Sequence, residues 1–201
     1  MLQKEIAEIL EKHKLWINSN CCKGEKANFR NTILRYQFFC GEDLVGADFS
    51  YADLRGIYMM NANLYGAMFE AALVKEANFT GANLKSTNLE HANFEDANFQ
   101  YADLAFANLH ACYLGGADLR NANLQGANLY GAFIKDCLLP EKLLSVGKLY
   151  KVKNQYVPFH DCLVCLVNIN DDGTLDLLEG KSGKMHRNQH FCLRYSLIEM
   201  P

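Results

Sequence analysis

Much that would announce a function is missing from these 201 residues. No 18 apolar residues run together, which excludes a membrane-spanning helix. There is no G-x-S-x-G elbow, no Walker loop and no H-E-x-x-H pair, so the motifs that announce common catalytic chemistries are absent. The expectation is a protein that is not an enzyme and uses no cofactor. Neither sign of charge dominates: 20 Lys and Arg face 23 Asp and Glu, for a net charge of −3. The eight cysteines, Cys21, Cys22, Cys40, Cys112, Cys137, Cys162, Cys165 and Cys192, are scattered and lack the spacing of a disulfide framework. They read as mostly free thiols in a reducing cytoplasm. The first residues are charged and amphipathic, which differs from a signal peptide.

What the sequence does have is a period of five. From Phe29 to Leu139, every fifth residue is large and apolar, 23 in succession in one phase. Two positions before each of these the residue is small from Ala47 onward, usually Ala, with Thr87, Cys112 and Cys137 as variants and Ile57 as the one large intruder. We number the five so that the small residue is first and the large one third. The second position is mostly Asn or Asp and the fifth is often Gly, both turn formers. A period of five fits neither the 3.6 of a helix nor the 2 of a strand. One small and one large inward residue per five describe a narrow, filled tube of strands and turns coiled on itself.

Three segments follow. Residues 1–26 contain a helix over 2–17, with Leu2, Ile6, Ile9, Leu10, His13 and Trp16 on one stripe. That stripe must be buried, and a solenoid needs its open end covered, so the helix reads as a cap. Residues 27–139 are the repeat, with twelve acidic and seven basic groups. An excess of acid argues against direct nucleic-acid binding by this region, since phosphates need a positive surface. Residues 140–201 read as a short helical closing segment over 140–144 and then a small β-domain. Its strands are expected at 149–152, 162–169, 175–178 and 190–197, with a hairpin turn at Asp171-Asp172-Gly173.

The A-(D/N)-(L/F)-x-x pattern, as in Ala77-Asn78-Phe79-Thr80-Gly81 and Ala122-Asn123-Leu124-Gln125-Gly126, resembles the pentapeptide-repeat family. The resemblance covers 113 of the 201 residues. It implies an all-β fold: a right-handed quadrilateral β-helix with four fives per coil, here with an N-terminal capping α-helix and a small C-terminal β-domain. Val146-Gly147-Lys148 and Tyr150-Lys151-Val152, with the later Asp-Asp-Gly hairpin, are similar to an SH3-like barrel. Some family members mimic duplex DNA and occupy the DNA groove of gyrase or another topoisomerase. The expectation is therefore a cytoplasmic bacterial or phage protein that binds a protein partner, as an inhibitor or protector of a DNA-handling enzyme such as a topoisomerase or a host defence nuclease. The uninterrupted fives leave no room for the loop insertions of quinolone-resistance members.

Candidate sites follow from stacking residues 20 apart. An acidic surface is expected at Glu70, Glu76, Glu90, Glu95 and Asp96, with a basic column of Arg35, Arg55, Lys75 and Lys135 that Glu95 interrupts. The bland alternative is that these carboxylates only keep the rod soluble. An apolar patch is expected at Tyr58, Met60, Met68 and Leu73, since exposed apolar residues mark partner sites. If it carries the partner, the rod serves as a scaffold and spacer. Ile33 and Phe38 are expected against the N-terminal helix, and Phe133 and Leu138 against the C-terminal domain. Cys162-x-x-Cys165 with His186-x-x-x-His190 has the pair spacings of a zinc site. The stronger alternative is that these cysteines are core residues of a strand, so no metal is expected.

Overall fold

The structure is a computed structural model that describes residues 3–134, 137, 138 and 140, and the backbone of five strands beyond them. The expected closing segment over 140–144 lies outside these residues, apart from Pro140. No helix among the described residues is long and apolar enough to cross a membrane.

Second-position residues pair in parallel with those 20 residues on, from Asn28 with Asp48 to Asp118 with Leu138. Each coil therefore holds four fives and has four sides. Each side contributes one bridged residue and not a longer strand, because a turn interrupts the chain every five residues. In nearly every turn the third-position carbonyl accepts the N–H of the next first position, as from Ala82 to Phe79 at 2.9 Å. The fifth position carries positive φ, +68° at Gly81 and +60° at Tyr101, as the third residue of a type II turn does. Many second-position Asn or Asp side chains accept the N–H two residues on, as Asn98 Oδ1 does from Gln100 at 2.9 Å. Asn side chains also bond from coil to coil, with Asn83 Nδ2 donating to Asn63 Oδ1 at 2.9 Å. The repeat's turn chemistry and its stacking are thus served by the same residue.

The third-position side chains fill the tube. From Phe29 to Leu119 none is more than 1% exposed. The rings stack at the coil rise of about 4.8 Å, with centroids 5.0 Å apart for Phe29–Phe49, 4.9 Å for Phe49–Phe69 and 5.1 Å for Phe79–Phe99. Ile57 is wholly buried among the small first-position residues. Thr87 fits there because its hydroxyl donates to Leu84 O at 2.7 Å.

Helix α1 spans Gln3–Asn18. Ile6 joins the rod's core, and Ile9 and Leu10 pack on it. His13 is buried, and its Nδ1 accepts the Ala27 N–H at 3.1 Å. Ile33 and Phe38 do not meet this helix as expected: they are 62% and 73% exposed. The helix packs on the core at the N-terminal coil, whereas these two residues sit on the sides, where Phe38 stacks on Tyr58 at 4.7 Å. Phe133 and Leu138 are 40% and 48% exposed, and the contact expected for them with the C-terminal domain involves side chains outside the described residues.

The C-terminal strands are β1 (Leu149–Lys153), β2 (Leu163–Ile169), β3 (Leu175–Glu179), β4 (Met185–Gln189) and β5 (Ser196–Glu199). They form one antiparallel sheet in the order β4-β3-β2-β1-β5. Of the final strand expected over 190–197, residues 190–195 lie outside the described residues and 196–197 belong to β5, while β4, on the opposite edge of the sheet, is not among the expected strands. The Asp171-Asp172-Gly173 turn, which the SH3-like reading needs, lies outside the described residues.

Candidate functional site

The coil sorts the outward residues by side. One side is built on Ile33, Asp53, Leu73, Asn93, Tyr113 and Phe133, joined in successive bridges. The turn before each of these residues forms one edge of that side, and the turn after it forms the other. Glu70 and Glu90 fall in adjacent coils on the first edge. Glu76, Glu95 and Asp96 fall in adjacent coils on the second. The five carboxylates of the expected acidic surface thus bracket a single side, with Leu73 and Asn93 between them.

Their partners differ. Tyr51 Oη donates to Glu70 Oε1 at 3.0 Å. Glu95 is paired with Lys75 one coil back. Glu90 has His110 Nδ1 at 2.9 Å, His91 Nε2 at 3.7 Å and Asn108 Nδ2 at 3.2 Å. The His110 hydrogen bond is the main cause that holds its carboxyl below the usual range. Glu76 and Asp96 are exposed and have no ion pair or side-chain hydrogen bond among the described residues.

The second-position aspartates contribute less acid than their number suggests. Arg55 holds Asp53 through two bonds of 2.9 and 2.8 Å, and Arg35 adds a third at 2.7 Å. The Arg55 hydrogen bond, the largest influence, keeps the Asp53 carboxyl well below the ordinary carboxylate range. Arg120 does the same to Asp118, lowering it to about 2. Asp103 pairs with Lys85 at 2.9 Å and Asp48 with Arg30 at 3.8 Å. Of the basic column, Arg35, Arg55 and Lys75 thus act on carboxylates of their own surface, and Lys135 lies outside the described residues.

The expected apolar patch is not one surface. Tyr58 lies on the side bridged through Phe38 and Asn78, Met68 on that through Asp48 and Asn88, and Leu73 on the acidic-edged side. Met60 sits at the turn following Tyr58. Closeness in sequence misleads here, because five residues turn the chain onto a new side. Of the zinc-spaced group, Cys165 is on β2 and His186 on β4, with β3 between them. Cys162 and His190 lie outside the described residues. Sequence reading missed His91 and His110, although the step of 20 from Glu90 to His110 was there to find.

The family model for pentapeptide repeats matches in eight copies, over 25–59, 43–80, 77–116 and 102–139. The chain belongs to the pentapeptide-repeat family. Among solved structures, it is similar to the pentapeptide repeat protein Rfr23 of the cyanobacterium Cyanothece 51142, with 25% identity over 57% of this chain and 88% of that one, at a TM-score of 0.34. It is also similar to a trypsin-treated variant of QnrB1, a plasmid-mediated fluoroquinolone resistance protein, with 23% identity over 59% of each chain and a TM-score of 0.35. A pentapeptide repeat protein of the Arabidopsis thaliana thylakoid lumen is 31% identical over 56% of this chain and 71% of its own, at a TM-score of 0.22. With TM-scores this low, none of these proteins lends its activity to this chain. No curated protein matches it.

Proposed function

We propose that this pentapeptide-repeat protein is a cytoplasmic, non-catalytic binding protein. In this reading, its acidic-edged side docks on the cation-lined DNA site of a DNA-handling enzyme, a topoisomerase or a defence nuclease, in place of duplex DNA. The observation that carries the reading is the placement of Glu70 and Glu90 on one edge of a side and Glu76, Glu95 and Asp96 on the other. Carboxylates fixed at the coil rise can meet a protein's phosphate-binding Lys and Arg without the condensed counterion atmosphere of DNA. Lys75 and the imidazoles engage Glu95 and Glu90, so Glu70, Glu76 and Asp96 are the least compensated. The rod itself binds no nucleic acid in this reading.

The test is capture of partners from a bacterial lysate by the immobilised chain and by its Glu70→Lys, Glu76→Lys, Asp96→Lys variant, with circular dichroism showing both folded. The expected result is a DNA-handling enzyme retained by the native chain, released by raised salt and lost from the variant. Equal retention by the variant overturns mimicry. It would favour the scaffold reading, which the exposed Phe38 ring stacked on Tyr58 supports.

A further inference from the structure

We infer that Glu90, His91 and His110 form a binding site for a divalent transition-metal ion, zinc in the first instance. Glu90 and His91 are consecutive turn residues of one coil, and His110 stacks over Glu90 from the next. One ligand atom from each lies within 4.8 Å of the other two. His110 Nδ1 is 2.9 Å from Glu90 Oε1 and His91 Nε2 is 3.7 Å from the same oxygen. Tetrahedral zinc with bonds of about 2.0–2.1 Å needs ligand atoms about 3.3 Å apart, so both spacings lie within a few tenths of an ångström of what the ion requires. Two imidazoles and one carboxylate suit zinc, cobalt or nickel, whereas magnesium and calcium favour all-oxygen sets.

The surroundings hold the ligands in place. Tyr130 lies parallel to the His110 ring at 5.7 Å and 4°. Asn108 Nδ2 donates to Glu90 Oε2 at 3.2 Å, leaving Oε1 for the metal. Such outer contacts orient metal ligands and raise affinity. In the His91 column the neighbouring coils carry only Ala71 and Ala111, which leaves the ion room. The site is half-exposed, with side-chain exposures of 35%, 58% and 34% for Glu90, His91 and His110. Water completes the coordination. The ion replaces the proton in the His110–Glu90 hydrogen bond and ties two coils together. The site shares Glu90 with the acidic-edged side, but the inference does not rest on the proposed DNA mimicry.

The test is equilibrium dialysis of the full reduced chain against zinc, with bound metal measured by elemental analysis. The native chain is compared with a His91→Ala, His110→Ala variant and with a Cys162→Ser, Cys165→Ser variant. The expected result is one equivalent present in the native chain and the cysteine variant and missing from the histidine variant. In the cysteine variant, zinc at a hundredfold excess over Kd also raises the rod's unfolding midpoint, by the linkage relation; in the histidine variant it does not. Cobalt at this site gives weak visible bands without thiolate charge-transfer absorption. Equal stoichiometry in native chain and histidine variant, or no zinc retained by the cysteine variant, overturns the site and leaves His110 and Glu90 a hydrogen-bonded surface pair.

Discussion

At the scale of single residues, the repeat asks one unusual thing of the chain: a left-handed residue at the end of every five. L-residues other than Asn and Asp pay for that conformation, and Gly does not. Tyr36, Ala71 and Phe106 occupy it nonetheless, and no Val, Ile or Thr does from Asn31 to Gly131. Gly66 has φ +64° and open space around a would-be Cβ. Gly66→Ala therefore costs only backbone strain, about 1–2 kcal/mol. At Gly24, with φ +75°, a Cβ would meet Lys12 O at 2.2 Å and Trp16 N at 2.7 Å, both backbone atoms of α1. Gly24→Ala therefore destabilises more and loosens the helix, which chemical unfolding and the fluorescence of Trp16, the single tryptophan, both read. His13 adds a pH dependence. Burial lowers its pKa from 6.5, its Nδ1 accepts a hydrogen bond, and its Nε2 is buried without a partner. A depressed pKa means that the unfolded chain takes up the proton first. The stability from neutral His13 is therefore complete above 6.5 and lost as pH falls through the lower folded value. Thermal melts should show this slope, and His13→Asn should flatten it.

At the scale of the coil, stability comes from stacked inward columns. Phe79 touches Phe69 and Phe94 edge-on and stacks on Phe99. Phe79→Ala should cost about 3–5 kcal/mol, as for other buried aromatics, and equilibrium denaturation would measure it. These columns were legible in the sequence because the third position is invariant in character and the period fixes who stacks on whom. The burial of Ile57 was not, since it depends on small neighbours across the tube. The surface was legible column by column but not in its pairing. Lys75 takes Glu95 while Glu76 and Asp96 stay free, which follows from side-chain directions and not from spacing. Ile33 and Phe38 misled because an apolar helix stripe shows that something is covered, without showing that it is the core at the rod's N-terminal coil. Strand β4 reads Met-His-Arg-Asn-Gln, with no apolar alternation. It forms as an edge strand through its ladder to β3, which local pattern cannot reveal.

At the scale of the molecule, what matters is how charge is distributed over four sides. Paired aspartates are spread along the sides, while the acidic corner residues gather around one side. That side changes along the rod, from Arg35 and Arg55 on Asp53, through the carboxylates, to Tyr113 and Phe133. A cation-lined partner should therefore engage the middle coils, and the most direct measurement is competition with DNA on the enzyme that the chain retains. Duplex DNA is titrated against the complex, and both ligands are followed. The account predicts mutual exclusion, with the chain displaced as DNA binds and the Glu70→Lys, Glu76→Lys, Asp96→Lys variant unable to displace DNA. A ternary complex of enzyme, DNA and chain would contradict it.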